Sequence, residues 1–118
     1  MIRKGNILLI GCGFFSQNIY IPIIKKLFKN ENIYFFDERA ELTKKTAIKF
    51  KCNYLDKLNS KILSKKNITH CVLCFDRNRS YFYCRFILGC GINLFAEKPI
   101  CKSSEELKKL FLIAKKNK

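Results

Sequence analysis

Short apolar runs alternate along this chain with longer stretches in which apolar residues recur every three or four positions. "NILLI" (6–10) is almost continuously apolar, as in a strand covered on both faces. Residues 16 to about 29 follow with helical spacing, with Tyr20, Ile23, Ile24 and Leu27 on one face and Pro22 near the first turns, where it costs least. "NIYFFD" (32–37) reads as a second strand ending in Asp37. A second helix is predicted over 39–50, with Ala40, Ala47 and Phe50 turned inward. "CNYL" is at best a short third strand, and a lysine-rich segment, helical or irregular, covers about 56–66. "THCVLCF" (69–75) predicts a fourth strand, about 78–89 an aromatic-rich helix, and "INLFAE" (92–97) a fifth strand ended by Pro99. In "SSEE" the pair Ser103 and Glu106 has capping-box spacing. Leu107, Leu110, Phe111 and Ala114 then recur as one helical face, and the terminal lysines suit a helix C-terminus.

Strand–helix units repeated five times predict right-handed crossovers. The expected fold is therefore α/β, a Rossmann-type doubly wound parallel sheet in three α/β/α layers. At 118 residues, with no internal repeat or linker, the chain reads as one domain over 1–118. An apolar content of 48% is enough for a core without disulfide or metal staples.

Charge adds a question. Lys and Arg number 24 against 9 acids, a formal net charge of +15. That balance suits a binder of nucleic acid or of an anionic surface. But 19 of the 24 are lysines, spread in small groups along the predicted helices, and only five are the arginines that phosphate clamping and base readout recruit. Solvated helix faces are the favoured reading and a nucleic-acid partner is not expected, although the field would attract an anionic cofactor. The apolar run before Gly11 is too short for a signal core or a membrane span. With seven cysteines and no secretory signal, reduced thiols and a cytoplasmic location are expected, without a membrane partner. Cys71 and Cys74 form a C-x-x-C, but inside a strand these positions face opposite ways and no second pair has zinc spacing, so no metal site is predicted. His70, the only histidine, reads as structural.

The chemistry-bearing stretch is "GCGFFS" (11–16), placed between the first strand and the first helix, where a dinucleotide fold needs it. Gly11 permits the tight turn, and Gly13 removes a side chain where a pyrophosphate must approach the backbone. The helix start at Phe14 and Phe15 offers free N–H groups and partial positive charge to the anion. Ser16 stands at the third glycine position, small but a departure. Asp37 lies at the distance expected of an acid that holds the ribose hydroxyls, which favours NAD over NADP; Arg39, two residues on, softens that preference. Asp37 has a second reading, as a cap for the helix that follows.

"GINLFAEKPI" (91–100), at this distance after a Gly-x-Gly and followed by the capped helix "SSEELKKLFLIA", resembles the glucose–fructose oxidoreductase / inositol dehydrogenase (Gfo/Idh/MocA) family. The likeness covers nearly the whole chain but only the N-terminal half of a typical member. It implies that Lys98 sits beside the nicotinamide ring as the catalytic lysine, handling the proton of the reacting hydroxyl or stabilising its oxyanion. It implies that Glu97 lies near the nicotinamide ribose and that Pro99 fixes the backbone that aims both. The cofactor-binding set is then Gly11, Gly13, Phe14, Phe15, Asp37, Glu97 and Lys98. In the loop "FDRNRS", Asp76 and Ser80 replace the proline and histidine that members carry. The family's second domain, which supplies substrate pocket and oligomer interface, is absent from the sequence. The implied function is cofactor binding for hydride transfer to or from a sugar- or polyol-type hydroxyl or carbonyl, completed by a second domain or chain. The alternative is a stand-alone nucleotide-binding sensor or regulatory module.

Overall fold

The computed structural model describes residues 5–75, 77–97 and 103–117. Its five described strands, β1 (Asn6–Ile10), β2 (Ile33–Phe36), β3 (Asn53–Tyr54), β4 (Ile68–Leu73) and β5 (Asn93–Ala96), form one parallel sheet in the order β3-β2-β1-β4-β5. The helices between them are α1 (Ile21–Leu27), α2 (Ala40–Phe50), α3 (Ser60–Lys65), α4 (Arg77–Gly89) and α5 (Ser104–Lys116). This is the expected doubly wound architecture. The central strand β1 is apolar because both its faces are covered: Leu8 and Ile10 point into one core with Leu73, Cys84 and Ile87, while Ile7 and Leu9 point into the other with Ile21, Ile24 and Phe35. The ladder aligns Leu9 with Phe35 on one side and with Val72 on the other. β5 pairs with β4, and its other edge meets no described strand.

The first helix departs from expectation. Residues Ser16–Tyr20 form a π-helical turn, in which Ile21 N–H donates to Ser16 O, and α1 begins only at Ile21. Pro22 accounts for it: the ring has no N–H to donate and would crowd the carbonyl four residues back, so the turn before it opens by one residue. The extra residue rotates the inward face. Ser16, Ile21 and Ile24 are buried, whereas Ile23 and Leu27, expected inside, are exposed. In α2 the inward positions are Thr43, Thr46 and Ala47; Ala40 is exposed and Phe50 half-buried. The two threonines are tolerated inside because each hydroxyl is satisfied, Thr46 Oγ1 donating to Leu42 O at 2.7 Å and Thr43 Oγ1 accepting from Asp37 N–H at 2.9 Å.

The predicted cap of the last helix is present, with Ser103 Oγ accepting from Glu106 N–H at 3.2 Å. Leu110 is its buried anchor, while Phe111, expected on the same face, is exposed. His70 lies inside β4, as the predicted strand has it, with Nδ1 2.8 Å from Thr69 Oγ1, near the end of the strand opposite the Gly-x-Gly turn. Cys71 is buried in the α4 core and Cys74 is half-buried at the other end of the C-x-x-C; the described cysteines are free thiols. Among the described residues no cluster of His, Cys, Asp and Glu could hold a metal, and no helix is long and apolar enough to cross a membrane.

Candidate functional site

β1 connects to β2 on one side and has β4 on the other, so the crossovers leave the sheet in opposite directions at its C-terminal end. Such a switch point opens a crevice. Here it is a cleft of about 670 Å³, lined by Gly13, Phe14, Phe15, Ser16, Asp37, Glu38, Arg39, Cys74, Phe75 and Glu97.

Its floor is built by backbone. Gly11 N–H donates to Phe36 O at 2.8 Å and Cys74 N–H to Ile10 O at 2.9 Å, extending both ladders beyond the strands. Gly11 has φ +105°, and a Cβ there would stand 2.1 Å from Cys74 O. Glycine is therefore required by both conformation and space. Gly13 is different: a Cβ there would meet only Arg39 Nη2, at 4.0 Å. Its missing side chain leaves cleft volume open, as a cradle for a ligand would need. Gln17 braces the turn, its N–H donating to Gly13 O at 3.0 Å and its Nε2 to Cys12 O at 2.9 Å.

Ser16 adds a second mark of an incomplete site. Its side chain is buried against the cleft, where Oγ has no oxygen or nitrogen partner and is met only weakly, by the Cys74 thiol. A thiol is a weak partner for a buried hydroxyl, and a ligand oxygen at the helix start would be a stronger one. The open cradle at Gly13 and this weakly satisfied hydroxyl fit a pyrophosphate. Phe14 and Phe15, whose amides would share in holding it, project side chains that are 79% and 55% exposed at the mouth.

Asp37, just beyond β2, is buried and ionised. Burial pushes its carboxyl up, but hydrogen bonds from Arg39 and from the Cys12 amide outweigh this and hold it below the usual range. Oδ1 accepts from Arg39 N–H and Arg39 Nε, both at 2.9 Å; Oδ2 accepts from Cys12 N–H at 2.8 Å and Arg39 Nη2 at 3.0 Å. A carboxylate offers about four acceptor positions, and these four bonds fill them. The expectation of NAD over NADP assumed a carboxylate facing the ribose; the one present is covered by Arg39. The capping alternative is met only in part, through the Arg39 amide, since α2 has no side-chain cap. The nearby Cys12 thiol is pushed up to about 12, first by burial and then by the Asp37 charge.

Glu38 reaches across the mouth to α4. Its Oε2 accepts from Tyr83 Oη at 2.5 Å and from Arg79 Nη2 at 2.6 Å and Nε at 2.9 Å, which keeps the carboxyl low. The Arg79 guanidinium also lies 4.8 Å from the Phe82 ring centre. At the opposite end of the cleft, Glu97 N–H donates to Leu73 O at 2.9 Å and Tyr20 Oη donates to Glu97 Oε1. That bond, more than burial, pushes the Tyr20 hydroxyl up to about 12.

The structure thus brings Gly13, Phe14, Phe15, Asp37 and Glu97 around one cleft with Gly11 beneath it. Lys98, Pro99 and Asp76 lie outside the described residues. Sequence reasoning passed over Tyr20, Gln17 and the Glu38–Arg79–Tyr83 cluster. Tyr20 and Glu97 are 77 positions apart and Glu38 and Tyr83 are 45 apart, with no local pattern linking either pair.

A model of an oxidoreductase family with an NAD-binding Rossmann fold (GFO_IDH_MocA) matches residues 5–118. No curated protein sequence matches the chain. Among solved structures, the MviM dehydrogenase of Clostridium difficile is 20% identical with a TM-score of 0.84, covering 98% of this chain and 37% of that one. GenD2 from gentamicin A biosynthesis, in complex with NAD, is 15% identical with a TM-score of 0.82, covering 99% and 33%. KijD10, a 3-ketoreductase from Actinomadura kijaniata, in complex with NADP and TDP-benzene, is 16% identical with a TM-score of 0.82, covering 98% and 35%. The chain spans about a third of the length of these proteins.

Proposed function

The chain belongs to the Gfo/Idh/MocA oxidoreductase family, as its NAD-binding Rossmann domain, and from that premise we propose that it binds a nicotinamide dinucleotide for hydride transfer to or from a sugar- or polyol-type substrate. The observation that carries this reading is the cleft at the β1/β4 switch point, where an open cradle at Gly13 adjoins the hydroxyl of buried Ser16, which has no oxygen or nitrogen partner. The turn from Gly11 to Ser16 would hold the pyrophosphate, the Asp37–Arg39 corner the adenosine ribose, and Glu97 the nicotinamide end. When bound, the nicotinamide ring supplies the hydride donor or acceptor.

The chain's own residues have narrower tasks. Tyr20 fixes the Glu97 carboxylate by donating to it. The turn excludes side chains from the pyrophosphate path. Lys98, the residue after Glu97, takes or gives the hydroxyl proton in this reading; it would do so next to a substrate held by a further domain or chain, since relatives are about three times as long. Phe14 and Phe15 flank the entrance and keep water from the cradle once it is filled.

Calorimetric titration with NADH and NADPH, paired with thermal melting, tests the reading. Saturable heat and a raised melting temperature with at least one of them are expected; no heat and no protection with either would overturn it. Binding without turnover of sugars, inositol or small carbonyls would favour the sensor or regulatory alternative.

A further inference from the structure

The ribose end of the cleft presents donors, where the spacing of Asp37 alone promised an acceptor. The Asp37 side chain is fully buried and its four acceptor positions are spent, whereas the Arg39 side chain covering it is 63% exposed. Nε and one hydrogen of Nη2 face the carboxylate. Nη1 makes no hydrogen bond to a described residue, and Nη2 faces the space above Gly13. The second acid of the loop, Glu38, is held through Oε2 by Tyr83 and Arg79, which turn it toward α4 and leave Oε1 without a bond to a described residue. A ribose 2′-hydroxyl finds the Asp37 carboxylate already spent, and a 2′-phosphate finds a guanidinium held in place by the pairing behind it.

We propose that Arg39, pinned on Asp37, is a specificity-determining residue that turns the ribose end into a 2′-phosphate site, so that the chain takes NADP(H) in preference to NAD(H). This rests on the dinucleotide reading above. Its physical content is that the buried carboxylate acts behind Arg39, as a support that orients the fork, and offers nothing to the ligand itself. A planar guanidinium with one edge committed still offers the other edge to phosphate oxygens.

The experiment compares nucleotides on the unaltered protein by calorimetry at physiological salt, then repeats the comparison on Arg39→Ala and Arg39→Lys. Adenosine 2′,5′-bisphosphate is set against its 3′,5′ isomer, which carries the same charge, so that general attraction to a basic protein cancels. We expect the 2′,5′ isomer and NADPH to bind at least about tenfold tighter than the 3′,5′ isomer and NADH, with the preference lost in Arg39→Ala and partly kept in Arg39→Lys. Equal binding of the isomers, or tighter binding of NADH, would overturn the proposal and leave the dinucleotide reading standing. So would an Arg39→Ala variant that weakens NADH and NADPH equally, since Arg39 would then serve the pyrophosphate. If neither dinucleotide nor bisphosphate binds, the dinucleotide reading fails and takes this one with it. The isomer comparison needs no variant, so it stands even if Arg39→Ala does not fold.

Discussion

Gly11 and Gly13 are separated by one residue, and the structure gives them opposite reasons for being glycine. In Gly11→Ala the new Cβ would lie 2.1 Å from Cys74 O at a backbone φ of +105°. The disfavoured conformation costs about 1–2 kcal/mol and the forced shift of packed backbone about 1–3 more, for a sum near 3 kcal/mol. For a domain of this size a loss of 1 kcal/mol lowers the melting temperature by roughly 4 °C, so a drop of about 12 °C is expected. In Gly13→Ala the new Cβ meets only Arg39 Nη2 at 4.0 Å, and φ is outside the left-handed range. Stability should then change by less than about 1 kcal/mol, possible gains included, because alanine also restricts the unfolded chain. Circular-dichroism melts of the two variants, followed by titration of the folded ones with NADH and NADPH, read both quantities. Gly13→Ala should melt like the parent and bind the dinucleotides at least about tenfold more weakly. A large loss of stability in Gly13→Ala, or none in Gly11→Ala, would refute the division between a glycine kept for the fold and one kept for the ligand.

Two further outcomes follow from protonation. Asp37 and Glu38 have folded values below their ordinary 3.8 and 4.5, so each favours the folded state above its ordinary value and loses that contribution as pH falls through the lowered one. Denaturant titrations from pH 6 down to 2.5 should show stability declining below about pH 4.5, and Asp37→Asn should flatten part of that decline; an unchanged slope would mean the Asp37 bonds are not formed in solution. Among the thiols, Cys12, Cys71 and Cys84 are buried, and burial raises Cys12 and Cys71 well above the ordinary value of 9.0. A thiol-reactive dye at pH 8 should leave these three unmodified in the native protein and reach them only on unfolding, as mass mapping of the labelled peptides would show.

The alternation of strands and helices was legible because each element carries its own period. The cap at Ser103 and the turn at Gly11 were legible because each depends on residues a few positions apart. What escaped depends on distance or on geometry between elements. The π turn before Pro22 shifted the inward face of the first helix by one residue, which exposed Ile23 and Leu27 and buried Ile21. Thr43 and Thr46 went inside on the strength of hydrogen bonds, which an apolar pattern does not register. Asp37 was found at the right place, yet its availability turned on Arg39 folding back over it, a side-chain conformation that spacing cannot express. Tyr20 read as a core residue of a helix face, and its hydroxyl at Glu97 became visible only when the ends of β1 and β5 came together.

The unshared edge of β5 carries a cost of another kind. Among the described residues no strand lies beside its outward backbone groups, and Phe95 on it stands exposed. Two such edges brought together would extend the sheet from one molecule into the next. The net charge of +15 opposes that meeting by mutual repulsion, and repulsion is what added salt removes. The lysines scattered over the helices thus act as a colloidal safeguard for one strand, and the protein should keep its molecules apart best in dilute buffer.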